Sequence, residues 1–169
     1  DGWWSRGLGD VYKRQVRKEL GLKTFFNMLG PMVNPSMPEK QVVGVYNLEL
    51  ARIYNYLYQT TDINYNIIHS IDGYDEISLT NGTKVYSRES EFILGSEDFN
   101  LKNIDSKNII GGKDIKSSSK IFMDVLNGKG STDQENVVCA NASLAIAISK
   151  DVSIICLLYT SPSPRDHQP

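Results

Sequence analysis

QVVGVYNLELARIYNYLYQTTDINYNIIHSI, residues 41–71, decides the architecture. QVVGVY (41–46) is a short valine-rich apolar run, the pattern of a buried strand. LELARIYNYLYQT (48–60) then spaces Leu50, Ile53, Tyr54, Leu57 and Tyr58 at i, i+3, i+4, i+7 and i+8, one face of an amphipathic helix. NYNIIHSI (64–71) is a second buried strand. Strand, helix and strand joined by short links make a βαβ unit, with a parallel sheet and a right-handed crossover. Open sheets of this kind place ligands at the carboxyl ends of their strands.

Downstream, EISLTNGTKVYS (76–87) sets Asn81-Gly82 between two β-rich runs, a hairpin signal, and FILG (92–95) adds a strand. Residues 96–114 are polar and carry Gly111-Gly112, so they read as a connecting loop. SSSKIFMDVLNGKG (117–130) reads as a helix with serine caps, an apolar face of Ile121, Phe122, Val125 and Leu126, and a glycine stop. STDQENVVCANASLAIAIS (131–149) opens on Thr132-Asp133-Gln134-Glu135, a capping box, and its small apolar body suits a helix packed on a sheet. No internal repeat or low-complexity linker breaks the chain.

The two ends are foreign to this pattern. One allowed set of codons for SRGLGDVYKRQ (5–15), read on the opposite strand and one base out of frame, encodes CLLYTSPSPR (156–165) and the first two bases of a codon for Asp166. The implied DNA resembles a transposase-type sequencing adapter. Residues 1–15 and 156–169 are therefore expected to be non-native and are set aside, as tags and fusion scars are. Arg6, Lys13 and Arg14 are then assigned no function. A secretory signal is unsupported, because no apolar core follows these basic residues.

The remaining piece, 16–155, is long enough for one domain with its own core. It holds 14 Lys and Arg against 17 Asp and Glu, so it offers no basic stripe for nucleic acid. No run approaches the roughly 18 apolar residues that span a bilayer. Its one cysteine, Cys139, excludes a disulfide framework and reads as a buried thiol. A cytoplasmic protein is expected.

Two stretches could carry chemistry. DGYDEIS (72–78) follows the strand at 64–71, where a parallel sheet presents its ligand loops. Neighbouring side chains on an extended chain point to opposite sides, so Asp75 and Glu76 would not share a proton. In a loop each can hold a hard cation through oxygen, and Mg2+ is usually bound by one or two carboxylates plus substrate phosphates. The same residues also suit a solvated acidic turn. VRKELGLKTFFNMLGPMVNP (16–35) starts a helix at Arg17 and Lys18 and ends in turns at Gly30, Pro31 and Pro35. Glycine lets backbone approach a ligand closely, proline fixes the turn, and an Arg nearby can hold a carboxylate bidentately. In isolation this is equally a helix, a turn and a surface Arg. His69, inside an apolar strand, reads as a packed core imidazole.

Taken in order, RKELGLKTFFNMLGPMVNP (17–35), VVGVYNLELARIY (42–54) and HSIDGYDEISL (69–79) closely resemble the anthranilate phosphoribosyltransferase family of tryptophan biosynthesis. GGKD (111–114), VLNGKG (125–130) and VVCANASLAI (137–146) continue the resemblance, which covers essentially all of 16–155. It implies an α/β fold: a partial catalytic domain of the nucleoside phosphorylase/phosphoribosyltransferase type, with a mostly parallel sheet, flanking helices and one β-hairpin. It implies transfer of the phosphoribosyl group from phosphoribosyl pyrophosphate to anthranilate, with Mg2+ as cofactor. It also implies roles for five residues: Arg17 contacts the anthranilate carboxylate, Gly30 and Pro31 wall the anthranilate site, and Asp75 and Glu76 serve the Mg2+. The parent is expected to be a homodimer, with neither nucleic acid nor membrane as partner.

The family's glycine-rich GTGGD loop, its Lys-His-Gly-Asn segment and most of its small helical domain have no counterpart here. Family-like sequence should also continue past Ile155. The chain is thus expected to be an internal fragment, inactive alone, and no residue is assigned as catalytic. A non-catalytic paralogue that binds nucleic acid or another ligand, and a nucleoside phosphorylase, are the alternative readings.

Overall fold

A computed structural model of the chain describes residues 30–151. Both adapter-like ends, Arg17 and the helix expected to start there lie outside the described residues. The chain divides into two compact units, Asp1–Pro38 and Glu39–Pro169.

Of the first unit, residues 30–38 are described, and they form successive turns. Asn34 organises them: its side-chain oxygen accepts from the Ser36 N–H at 3.0 Å, and its carbonyl accepts from the Met37 N–H at 3.0 Å. The turns expected from the glycine and prolines of this stretch are present.

The second unit opens with β1 (Lys40–Gly44), α1 (Leu48–Gln59) and β2 (Asn64–Ser70). β1 pairs parallel with β2, in register from Lys40 opposite Asn64 to Gly44 opposite Ile68, so the βαβ reading holds. Asn47 starts α1 by accepting from the Leu50 N–H at 2.8 Å, which satisfies one of the orphan donors of a helix start. α1 buries Leu50, Ala51, Tyr54 and Tyr58. Ile53 and Leu57, expected on this face, stay at its rim, 46% and 36% exposed. The tyrosine rings fill the contact instead: Tyr58 stacks against Tyr65 of β2 at 5.2 Å and meets Tyr54 edge-on at 6.3 Å.

β3 (Thr83–Ser87) runs antiparallel to β2, and β4 (Glu91–Leu94) antiparallel to β3, giving the order β1-β2-β3-β4. The class is α/β as expected. Among the described strands, however, the sheet is mixed, with one parallel pairing and two antiparallel, where a mostly parallel sheet was expected. The connections explain this. Parallel neighbours need a crossover of about a dozen residues or more, usually helical. The β3–β4 link is only Arg88–Ser90, and the β2–β3 link, 71–82, is an irregular loop.

The hairpin turn therefore lies at Arg88–Ser90, closed by Ser87 N–H to Ser90 O at 2.9 Å, and not at Asn81-Gly82. Gly82 is needed for another reason. A Cβ there would stand 2.9 Å from Ile93 and 3.3 Å from Ile71, so the glycine admits a close approach rather than a turn.

Residues 96–114 are not a plain loop. Two short 3-10 turns, Glu97–Phe99 and Ser106–Ile109, lie here, and the segment drops Phe99 and Ile104 into the core. α2 (Ile115–Leu126) starts before the expected serines, because Asp114 and Ser117 form its capping box. Gly128, at φ +66°, stands just past its end. Of its expected apolar face, Ile121 and Val125 are half-buried, while Phe122 and Leu126 are exposed. α3 (Thr132–Lys150) is capped one residue earlier than expected, by Ser131 with Gln134. It packs through Ala140, Leu144, Ala147 and Ile148. Cys139 falls off that stripe and is exposed, contrary to the expected buried thiol.

Alternation along β2 separates two faces. Tyr65 meets α1, whereas Ile68 joins Ala140 and Leu144 of α3 in a core that also takes in Ile77, Leu79, Val85 and Leu94. α1 and α3 thus cover opposite faces of the sheet. Among the described residues no helix is long and apolar enough to cross a membrane.

Candidate functional site

The loop between β2 and β3 carries the paired carboxylates, and buried hydroxyls shape it. Ser70, the last residue of β2, is fully buried, and its hydroxyl donates to the carbonyl of Glu76 at 2.6 Å and pairs with the Thr83 hydroxyl at 2.9 Å. The Ser70 N–H donates to Tyr74 O at 2.9 Å, and Gly73, at φ +99°, returns its own N–H to Ser70 O at 2.9 Å. That left-handed position favours glycine. Across the loop base, Ile71 N–H meets Gly82 O at 2.9 Å, and the Asp72 carboxylate accepts from the hydroxyls of Ser78 and Thr80.

Beyond the carboxylates the chain dives inward at Ile77, Ser78 and Leu79, all buried. Leu79 sits at φ +59°, unusual for a bulky residue. It is held by its packed side chain and by the Ile104 N–H on its carbonyl at 2.9 Å. Asn141 of α3 grips Ile77 in both directions: Oδ1 accepts from the Ile77 N–H at 2.9 Å, and Nδ2 donates to Ile77 O at 2.8 Å.

Asp75 rests against the end of β1. A Cβ on Gly44 would lie 1.8 Å from the Asp75 carbonyl oxygen, so only a glycine lets the loop close over this strand. The result is an open cleft of about 440 Å3 beside the carboxyl ends of the parallel pair. Val42, Ile68 and Val137 supply apolar walls, and Asp75, Glu76 and Asn141 supply the polar lining. Asp75 and Glu76 are both exposed to solvent.

Among the described residues no group of three or more His, Cys, Asp or Glu gathers to hold a metal ion. A closed structural metal centre is therefore not what this cleft offers. Two carboxylates on an open cleft do fit Mg2+ that arrives with a phosphorylated ligand, because such Mg2+ takes its remaining oxygens from phosphates and water.

Of the residues singled out in the sequence, Asp75 and Glu76 thus come together on one cleft. Gly30 and Pro31 belong to the first unit, in turn geometry. Gly30 is exposed, and a Cβ there would meet nothing within 4 Å. Arg17 lies outside the described residues. His69 is a buried core imidazole as expected, with Nδ1 2.9 Å from Val45 O. Gly44, Ser70 and Asn141 were missed. Gly44 carried a signal, since a lone glycine in a valine run marks a close backbone approach. Asn141 carried a fainter one, an amide within an apolar helix that must find partners.

The chain is similar to the anthranilate phosphoribosyltransferase of Christiangramia forsetii, 59% identical over 138 residues, which are 82% of this chain and 42% of that protein. The enzyme of the same name from Flavobacterium johnsoniae is 58% identical over 132 residues, 78% of this chain and 40% of that one. The chain thus spans about two fifths of the length of the curated relatives it matches. Among solved structures it resembles anthranilate phosphoribosyltransferase from Saccharomyces cerevisiae in complex with PRPP and Mg, with TM-score 0.74 and 26% identity over 84% of this chain and 41% of that one. The enzyme from Thermus thermophilus, at TM-score 0.75 and 23% identity over 86% of this chain and 44% of that one, shows the shared fold alone. The resemblance seen in the sequence is thereby borne out. A family model described as "Glycosyl transferase family, a/b domain" matches residues 10–155, most of the chain, so the chain belongs to that family.

Proposed function

We propose that this chain is part of an anthranilate phosphoribosyltransferase, which moves the phosphoribosyl group of phosphoribosyl pyrophosphate onto anthranilate in tryptophan biosynthesis. The observation that carries this reading is the presentation of Asp75 and Glu76 on an open cleft at the carboxyl ends of β1 and β2. The relatives' names agree with it. In the reaction the anthranilate amine forms a bond to the anomeric carbon. The bond to pyrophosphate breaks with its electron pair on the departing oxygen, and the amine sheds one proton.

Asp75 and Glu76 would hold Mg2+, which when bound neutralises charge on the leaving pyrophosphate and acts as its template. An aromatic amine needs little help from a base, so positioning dominates. Arg17 is assigned to the anthranilate carboxylate, and Gly30 with Pro31 to the wall of the anthranilate site. The apolar walls of the cleft keep the carboxylates on one open side. A homodimeric, cytoplasmic parent without nucleic-acid or membrane partners completes the reading; the acidic balance supports the absence of a nucleic-acid partner.

The test is a chimera. Residues 16–155 replace the matching segment of the Christiangramia forsetii relative, and the loss of anthranilate fluorescence is followed with phosphoribosyl pyrophosphate and Mg2+. Turnover is expected. An inactive chimera that folds like its active parent contradicts the assignment.

A further inference from the structure

We infer that Asn141 is a positioning residue, which presets the Asp75–Glu76 loop for a divalent cation by clamping the backbone of Ile77. The inference rests on the metal reading above and deepens it. Ile77 directly follows Glu76 and is buried, 1% exposed. A buried backbone N–H and C=O both need partners. Ile77 lies in no strand, so no ladder supplies them. One side chain supplies both: Asn141 accepts the Ile77 N–H at 2.9 Å and donates to its carbonyl at 2.8 Å, across 64 residues of sequence. An amide can pair this way because it carries an acceptor and a donor side by side.

The clamp is itself braced. Asn141 Nδ2 also donates to Val137 O, one turn back on α3, at 2.9 Å, which fixes the amide plane on the helix. The loop is pinned at three successive residues: Asp75 against Gly44, the Glu76 carbonyl by the Ser70 hydroxyl, and Ile77 by Asn141. Ser70 comes from β2, Gly44 from β1 and Asn141 from α3, so three elements converge on one short run of backbone. Asn141 also lines the cleft beside both carboxylates. A purely structural amide could have closed any part of the loop. This one closes the residue next to a proposed metal ligand, where backbone motion would carry the carboxylate with it. Residues that orient ligands in this way typically change metal affinity about 10- to 100-fold when removed.

The experiment is amide hydrogen exchange and Mn2+ titration of the 15N-labelled 169-residue chain, read by NMR. In the wild type the Ile77 amide is expected to exchange slowly, and Mn2+ to broaden the Asp75 and Glu76 amides selectively. Asn141→Leu keeps side-chain size and removes both bonds. It is expected to free the Ile77 amide and weaken Mn2+ broadening at least about tenfold, while strand amides such as Tyr65 and Val85 stay protected. Wild-type Ile77 protection or wild-type Mn2+ affinity in Asn141→Leu overturns the inference, as does fast Ile77 exchange in the wild type. If Asn141→Leu does not fold, Asn141→Ala carries the test. It also removes both bonds and adds no charge to the cleft, so the same loss of Ile77 protection and of Mn2+ affinity is expected, and an unchanged affinity overturns the inference. Asp75→Asn with Glu76→Gln separates the two claims. If that double variant binds Mn2+ like the wild type, the metal reading fails, and Ile77 exchange still decides whether Asn141 holds the loop.

Discussion

The carbonyl oxygen of Asp75 stands 1.8 Å from where a Cβ on Gly44 would be. Gly44→Ala therefore cannot be accommodated without moving the loop that bears the carboxylates. Overpacking of this kind costs about 1–3 kcal/mol. Thermal unfolding of Gly44→Ala is expected about 5 °C or more below wild type. Gly30→Ala is the control: its Cβ meets nothing within 4 Å, and its midpoint is expected to stay with the wild type. Equal midpoints for Gly44→Ala and Gly30→Ala would contradict the close approach.

The hydroxyl pair at the loop base predicts a second effect. Ser70→Ala takes a partner from the Glu76 carbonyl and from the buried Thr83 hydroxyl. Leaving a buried polar group without its partner costs about 1–3 kcal/mol. A urea titration is expected to show that loss with an unchanged slope. A midpoint equal to wild type would mean that the hydroxyls find other partners.

Alkaline pH should unfold the α1 face. Burial pushes the Tyr58 hydroxyl up to about 12, with a further rise from Tyr54, and burial also raises Tyr54 and Tyr65. Because the folded value lies above the unfolded one, this stabilisation is complete below pH 10. It is lost as pH rises through the folded value. Circular dichroism is expected to hold to about pH 10 and to fall by about 12, as the tyrosinate absorbance of the buried cluster rises. Tyr58→Phe, which loses its bond to Gln41, should make that fall shallower. Ionisation of Tyr58 near pH 10 in an intact fold, read as the difference in tyrosinate absorbance between wild type and Tyr58→Phe, would refute the buried cluster.

Arg17, outside the described residues, is tested in the chimera. A charge-assisted bond to the anthranilate carboxylate is worth about 1.5–3 kcal/mol. Arg17→Ala is then expected to raise the KM for anthranilate about 10- to 100-fold, with a smaller change in kcat. An unchanged KM removes the role.

The βαβ core was legible because each part announced itself locally: valines for β1, an amphipathic stripe for α1, a short apolar run for β2. The hairpin was misplaced because Asn81-Gly82 has the composition of a turn. The structure uses Gly82 for its bare Cα against Ile93, a contact that only tertiary packing creates. The turn at Arg88–Ser90 has no glycine to mark it. Asp75 and Glu76 stood out as charges in a loop. The side chains that aim them did not, because Asn141 gains its meaning from Ile77, 64 residues away. Cys139 looked buried by its apolar neighbours, but helical phase turns it off the Ala140–Leu144 stripe.

Both carboxylates are exposed, so their replacement should change stability by no more than about 0.5 kcal/mol and act on function alone. The most direct test is the Mg2+ dependence of phosphoribosyl transfer by the chimera, wild type against Asp75→Asn with Glu76→Gln. The account predicts that half-saturation moves to at least about tenfold higher Mg2+, with the fold unchanged. The same Mg2+ dependence in both proteins would contradict it.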